Sequence, residues 1–281
     1  MTLSSDVTAR LRGASGFVFD MDGTIALGDA ASGGHKALPH AVALLETLKA
    51  QGRPYVVFTN GTAKPPAAYA ASLRAAGFPV EDAQMLTPSS SAAGWLVKQG
   101  VGRIRVLGNA GCAAPLVEAG LDVVGPADEA ERVEAVYTGW FREFDFAALE
   151  AACHSLWNGA RLLTASNVPF FATATGRAIG SSFAINAMLT SMTGKRPSVL
   201  GKPSRVALDT ARAVMGLPRS ALKDMVVVGD DPGLEMRMAN SAGALSVGMK
   251  TGIMASDANL PARDRPAVLL DSLAPVLEAL S

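Results

Sequence analysis

Phe17-Val18-Phe19-Asp20-Met21-Asp22-Gly23-Thr24-Ile25 decides the reading of this chain, because an apolar run delivers two carboxylates, one residue apart, into a glycine turn. The unbroken run before Asp20 predicts a strand buried on both faces, as in a parallel sheet covered by helices. At the carboxyl end of such a strand, side chains i and i+2 point to the same side, which makes Asp20 and Asp22 candidates to share one ligand. Two anions that close repel each other unless a cation sits beside them. A phosphoryl group held by magnesium satisfies that arrangement. Taken alone, the segment reads equally well as a polar turn after a strand, with Asp and Gly present for turn chemistry.

Working outward, Pro39 and Gly52 bracket a segment with Val42, Leu44, Leu45 and Leu48 at helical spacing, which is the punctuation of a helix. Pro54-Tyr55-Val56-Val57-Phe58-Thr59-Asn60-Gly61 then repeats the first pattern, a buried strand ending in a small polar group and glycine. Strand, helix and strand predict a right-handed parallel βαβ unit. Ligands gather at the carboxyl ends of such strands, so Thr59 and Asn60 belong beside Asp20 and Asp22, with a hydroxyl and backbone N–H groups for phosphate oxygens. Met225-Val226-Val227-Val228-Gly229-Asp230-Asp231-Pro232-Gly233 is a third strand with a polar end. Upstream of it, Gly201-Lys202-Pro203 precedes a helical stretch closed by Gly216. Pro203 suits that helix's first turn, so Lys202 is expected at its amino end, where it takes a catalytic part by neutralising phosphate charge or the nucleophilic carboxylate, or stands as an ordinary solvated lysine.

The 281 residues allow one large domain or two ordinary ones, with a full core. Formal net charge is +0, with 25 basic and 25 acidic residues, so no electrostatic footprint for a nucleic acid polymer or an anionic membrane is present. Cys112 and Cys153 have neither metal-knuckle nor redox spacing and read as buried free thiols. Residues 1–16 do not resemble a signal peptide, and no apolar run approaches the roughly 18 residues of a membrane span. A soluble cytoplasmic protein with a small-molecule ligand is the expectation.

Four motifs in order, Asp20-Met21-Asp22-Gly23-Thr24, Thr59-Asn60-Gly61, Gly201-Lys202-Pro203 and Gly229-Asp230-Asp231, resemble those of the haloacid dehalogenase superfamily. More narrowly the chain resembles class IIA, the branch of NagD-like nucleotidases, para-nitrophenyl phosphatases, and phosphoglycolate and pyridoxal phosphate phosphatases. About 35 residues separate the first two motifs and roughly 140 lie between Asn60 and Lys202, which leaves room only for a late insertion. The resemblance implies an α/β, Rossmann-like parallel-sheet core over 1–62 and 199–281, with an inserted α/β cap over 63–198 that selects the substrate. Arg105-Val106-Leu107-Gly108 and Trp157-Asn158-Gly159-Ala160-Arg161-Leu162-Leu163 are similar to pieces of that cap. A homodimer through the cap, as in some relatives, comes with the same resemblance.

The implied activity is magnesium-dependent hydrolysis of a small phosphate monoester. Asp20 would be the nucleophile, forming an aspartyl-phosphate, and Asp22 the general acid and base. Magnesium would be held by Asp20, the Asp22 carbonyl and Asp230. Thr59, Asn60, Gly61 and Lys202 would bind the phosphoryl group. True haloacid dehalogenases do not use the second aspartate in this way, so Asp22 favours a phosphatase. Two departures stand out. Leu234-Glu235-Met236 replaces the usual Thr-Asp-Ile, making Glu235 or Asp231 the residue behind the metal site. Ala165-Ser166-Asn167-Val168-Pro169 replaces the usual Thr-Asn-x-Asp of the cap. A catalytically weakened relative that binds a phosphorylated metabolite is the alternative, and phosphoryl transfer to another acceptor a third.

Other features carry less. Neither Gly194-Lys195 nor Gly201-Lys202 is followed by Ser or Thr, so no P-loop is complete. Gly108-Asn109-Ala110-Gly111 follows a strand and opens a helical pattern, yet lacks the dinucleotide fingerprint and reads as a turn of the cap. His35, His40 and His154 are scattered and read as surface or packing residues, with a substrate contact conceivable only for His35. Trp140, Phe141, Phe144, Phe146 and Trp157 are expected to pack a core. Ser89-Ser90-Ser91 reads as a helix start.

Overall fold

A computed structural model describes residues 3–29, 34–130, 132–173 and 176–281. Along the chain, β1 (Gly16–Phe19), β2 (Ala26–Asp29), β3 (Gly34–Ala37), β4 (Tyr55–Phe58) and β5 (Met85–Leu86) come first. They are followed by β6 (Arg103–Leu107), β7 (Asp122–Val124), β8 (Ala135–Thr138), β9 (Arg161–Thr164), β10 (Phe170–Thr173), β11 (Gly176–Ile179) and β12 (Ser198–Val199). The last strands are β13 (Met225–Gly229), β14 (Leu245–Met249) and β15 (Val268–Leu270). Contacts divide the chain into one unit of Met1–Thr59, Ala67–Leu86 and Ala207–Ser281, and a second of Asn60–Pro66 and Thr87–Val206.

The first unit is built on a six-stranded sheet in the order β15-β14-β13-β1-β4-β5, parallel throughout. As the apolar runs predict, every residue of β1, β4 and β13 is buried. Their alternate side chains feed two separate cores. Phe17, Phe19, Val57 and Val228 pack with Leu44, Leu45 and Leu48 of the helix Ala41–Ala50 and Leu73 of the helix Pro66–Ala75. Val18, Val56, Phe58 and Val227 pack with Leu208 and Ala211 of the helix Arg205–Val214. Covering both faces is what lets a strand be apolar along its whole length.

The second unit repeats the plan with a parallel sheet in the order β12-β9-β8-β6-β7. Leu96 and Leu116 lie among the residues over one face, Leu156, Ile185 and Leu189 over the other. Cys112 and Cys153 are free and buried, as expected. Asn109 does open a helix, Ala110–Glu118, its side chain accepting from the N–H groups of Gly111 and Cys112. The aromatic expectation needs correction: Phe141 and Phe144 pack edge to face, but Phe146 and Trp157 are 78% and 56% exposed. Both lie on the helix Phe146–Trp157, whose buried positions are Ala148, Ala152, Cys153, Ser155 and Leu156.

The unit boundaries also differ from the expected 1–62, 63–198 and 199–281. Residues 67–86 go with the first sheet, because β5 pairs in parallel beside β4 and Tyr69, Ala70, Leu73, Phe78 and Val80 join its core. Conversely, Leu200 packs in the second unit's core, and Thr62 accepts a bond from the Trp140 N–H at 2.9 Å. Among the described residues no helix is long and apolar enough to cross a membrane.

Candidate active site

The polar strand ends of the first unit meet at one edge of its sheet. Since all six strands are parallel, the ends of β4, β1 and β13 are neighbours, and these three strands lead into Thr59, Asp20 and Asp230. The chain order also reverses at β1, with β4 and β5 on one side and β13 to β15 on the other. Such switch points open a crevice at the carboxyl edge of a sheet. Asp20, Thr59 and Asp230 are 8%, 5% and 7% exposed. The Asp20 N–H donates to the Val228 carbonyl at 2.9 Å, extending the β1–β13 ladder to Asp20 itself.

The strand-alternation argument for Asp20 and Asp22 is corrected by the structure. β1 ends at Phe19, and Asp22 is carried by a tight turn in which the Met21 carbonyl accepts from the N–H groups of Ile25 and Ala26 at 3.1 and 3.0 Å. Asp22 is therefore much more open than Asp20, its side chain 57% exposed. Gly23 stands in that turn at φ 80°, a region that costs other residues steric strain. The Thr24 hydroxyl, fully buried, donates to Asp20 Oδ2 at 3.2 Å. One carboxylate oxygen of Asp20 is thereby given a fixed partner.

Asp230 is held from a segment that the motif reading missed. After β14, the Thr251 hydroxyl donates to the Gly23 carbonyl at 2.5 Å and the Ile253 N–H donates to Asp230 Oδ2 at 2.9 Å. Between them, a Cβ added to Gly252 would lie 1.8 Å from that same Oδ2. Met249-Lys250-Thr251-Gly252 carries the signal already read three times, an apolar strand running into a small polar residue and glycine.

Beyond Asp230, a single π-helical turn spans Pro232–Met236. Asp231 Oδ1 accepts from the Gly233 N–H at 2.7 Å, so this carboxylate caps its own turn. Glu235 is 1% exposed and its Oε2 accepts from the Asp231 N–H at 3.0 Å. Its stem lies where a Cβ on Gly229 would be, 2.2 Å from Glu235 Cγ, so the glycine after β13's valines makes room for the longer acid. Next in the chain, Arg237 grips Asp264 through Nε and Nη2 at 2.7 and 2.8 Å. That hydrogen bonding holds the Asp264 carboxyl below its ordinary pKa and the Arg237 guanidinium above its own.

The remaining candidates belong to the second unit. Asn60 Nδ2 donates to the Lys202 carbonyl and Asn60 Oδ1 accepts from the Lys202 N–H, both at 2.9 Å. The Asn60 amide thus fixes the Lys202 peptide from 142 residues away. Lys202 is 1% exposed, not a solvated lysine. Its helix is Arg205–Val214, so Lys202 and Pro203 precede the first turn, joined by a cis peptide bond. Gly61 follows Asn60 and is half-buried.

A family model described as haloacid dehalogenase-like hydrolase matches residues 17–122, and a second HAD-hydrolase-like model matches 199–276. The chain belongs to the haloacid dehalogenase-like hydrolases. It is 25% identical over 259 residues to the 5'-nucleotidase YutF of Bacillus subtilis, an alignment spanning 92% of this chain and 95% of that one. Among solved structures it is similar to the p-nitrophenyl phosphatase of Archaeoglobus fulgidus, at a TM-score of 0.81 and 25% identity over 95% of this chain and 99% of the other. It is also similar to the glycerol phosphate phosphatase of Mycobacterium tuberculosis in complex with magnesium, at a TM-score of 0.80 and 25% identity over 96% and 77% of the two chains. These likenesses extend across both units, so the second one is part of the shared architecture of these hydrolases.

Proposed function

We propose that this hydrolase releases phosphate from a small phosphorylated metabolite through an aspartyl-phosphate on Asp20, with magnesium as its cation. The observation that carries the reading is the set of polar ends on three neighbouring strands, two of them buried carboxylates and the third a buried hydroxyl. Among the described residues no group of three or more His, Cys, Asp and Glu stands together as a complete metal cage. Magnesium does not need one: it takes oxygen ligands, one or two of them carboxylates, and keeps water and phosphate oxygens for the rest. Asp20, Asp230 and the carbonyl of Asp22 suit that demand, and nothing in the set would favour a softer ion. When bound, the cation would offset the repulsion between carboxylate and phosphate and align them.

The chain's own groups account for the remaining steps. The Asp20 oxygen not engaged by Thr24 attacks phosphorus while the bond from phosphorus to the metabolite's oxygen breaks, and that oxygen takes a proton from Asp22. Asp22 then takes a proton from water as that water attacks the phosphorus of the acyl phosphate, the bond from phosphorus to Asp20 breaks, and inorganic phosphate leaves with both aspartates restored. Binding of the phosphoryl oxygens is assigned to Thr59, the N–H groups of Asn60 and Gly61, and Lys202. The Asn60 side chain serves by holding the Lys202 peptide. Of the two acids after Asp230, Glu235 is the one assigned to support metal-bound water, since Asp231 already caps the turn. Selection of the metabolite is assigned to the second unit.

The test is a phosphate-release screen over sugar phosphates, nucleotides, phosphoglycolate, glycerol phosphate and 4-nitrophenyl phosphate, with magnesium and with a chelator. Release that needs magnesium is expected. Release undiminished by the chelator would refute the cation's role, and no release from any substrate would favour a binding protein that has lost turnover.

A further inference from the structure

His35 is absent from the motifs that define the family, yet the structure brings it to one of them. It lies on β3, paired across the hairpin with Gly28 of β2. Its side chain is only 8% exposed, with Nε2 3.7 Å from Asp22 Oδ1. On the other side of the ring, Nδ1 lies 2.8 Å from Ser72 Oγ. Ser72 sits on the helix Pro66–Ala75, which is anchored in the core through Tyr69, Ala70 and Leu73.

We propose that His35, oriented by Ser72, is a positioning residue that sets the direction of the Asp22 carboxylate for proton transfer to the leaving oxygen. The inference rests on the reading of Asp22 as acid and base. Asp22 stands in a turn with its side chain mostly in solvent, so burial alone does not set its direction. Proton transfer needs one direction, because catalytic groups misplaced by about 1 Å can cost 10²-fold. The ring supplies that direction. A hydroxyl that donates to Nδ1 leaves the proton of the neutral imidazole on Nε2, the nitrogen facing Asp22. The opposite tautomer would turn a lone pair on the carboxylate. A separation of 3.7 Å is that of an ion pair or a loose donor, and such contacts tighten when substrate binds.

The chemistry offers a readout that fold integrity does not touch. A nitrophenolate leaves with little help from an acid, whereas an alkoxide must be protonated as the bond breaks. The experiment measures kcat and KM with 4-nitrophenyl phosphate and with the best alkyl phosphate of the screen. It uses the unsubstituted enzyme, His35→Ala, His35→Gln, Ser72→Ala and Asp22→Asn, and the double variant of His35→Ala with Asp22→Asn. His35→Ala is expected to lower kcat about tenfold for the alkyl ester and about twofold for the nitrophenyl ester, with KM little changed. Ser72→Ala should move in the same direction more weakly, and His35→Gln, whose amide nitrogen can reach the place of Nε2, should restore part of the loss. In the double variant no loss beyond that of Asp22→Asn is expected. An equal fall for both esters, or a further loss in the double variant, would overturn the positioning role and leave His35 as a packing residue. If His35→Ala fails to fold, Ser72→Ala decides by the same ratio. An unsubstituted enzyme that turns over neither ester would instead refute the phosphatase reading, and this role with it.

Discussion

The two units are built alike and finish their strands differently. Both have a parallel sheet with helices over each face, and in both the strands run into small polar residues and glycines. At the edge of the first sheet the polar ends include Asp20 and Asp230, buried carboxylates each held by a hydroxyl or N–H contact to one oxygen. At the edge of the second, the ends of β8 and β9 are neutral and bonded to one another. Thr138 Oγ1 at the end of β8 lies 2.9 Å from both Thr164 Oγ1 at the end of β9 and Asn186 Oδ1. Asn186 Nδ2 donates to Thr164 Oγ1, which donates in turn to the Ser166 carbonyl, both at 2.9 Å. A strand end is thus a place where polar groups collect. What separates these two edges is whether the collected groups carry charge.

Substitutions at the first edge should therefore remove chemistry while the fold persists. Asp20→Asn is expected to lower phosphate release by about 10³-fold or more, with thermal unfolding little changed. Turnover surviving at the unsubstituted level would end the assignment of Asp20 as nucleophile. Gly252→Ala tests the support behind Asp230. With 1.8 Å between the new Cβ and Asp230 Oδ2, the carboxylate or the loop must shift, and a shift of about 1 Å corresponds to roughly 10²-fold in kcat. The same variant should need more magnesium for half-saturation, read directly by titration calorimetry. Unchanged magnesium binding would show that Asp230 does not depend on the loop after β14.

How much of this was legible in the sequence follows from the range over which each feature is determined. β1, β4 and β13 could be read because an apolar run ending in Asp or Thr and glycine fits a strand buried on both faces far better than an amphipathic helix, and the helix Ala41–Ala50 because Leu44, Leu45 and Leu48 mark its buried face. Asp20, Asp22, Thr59, Lys202 and Asp230 stand out as candidates because each sits inside a short motif. The Thr251 bond to Gly23 spans 228 residues and the Asn60 bonds to Lys202 span 142. No local pattern encodes such a partner. β5 is two residues long, too short for a period, so no local pattern marks residues 67–86 as going with the first sheet. The openness of Asp22 was hidden by its setting: a turn, not a pleat, carries it, and alternation rules stop where the strand stops.

At the second edge the opposite pattern of effects is expected. Asn186→Ala would leave the hydroxyls of Thr138 and Thr164, both fully buried, short of partners. The loss of stability should be about 2 kcal/mol, from the two buried hydrogen bonds removed, with kcat of the folded enzyme within about twofold because no reacting group moves. Denaturant unfolding beside kinetics measures both. A fall in kcat as large as that of Gly252→Ala would erase the distinction between the edges.

The smallest effect lies between these extremes, on the clamp that carries charge yet performs no chemistry. Arg237 holds the pKa of Asp264 down, and the Asp264 side chain is 8% exposed, so Arg237→Ala should cost about 1–2 kcal/mol at neutral pH. The sign of its pH dependence follows from the direction of the shift. A carboxylate whose pKa is lower in the folded state contributes its stability above the unfolded value, about 3.9, and loses it as pH falls through the depressed folded value. The gap in unfolding free energy between the unsubstituted enzyme and Arg237→Ala should therefore be flat from neutral pH down to about 5 and close below about 4. A gap that does not narrow at all between about pH 5 and pH 3 would mean that the guanidinium acts by packing, and that charge at this position, as at the edge of the second sheet, is not what holds the structure.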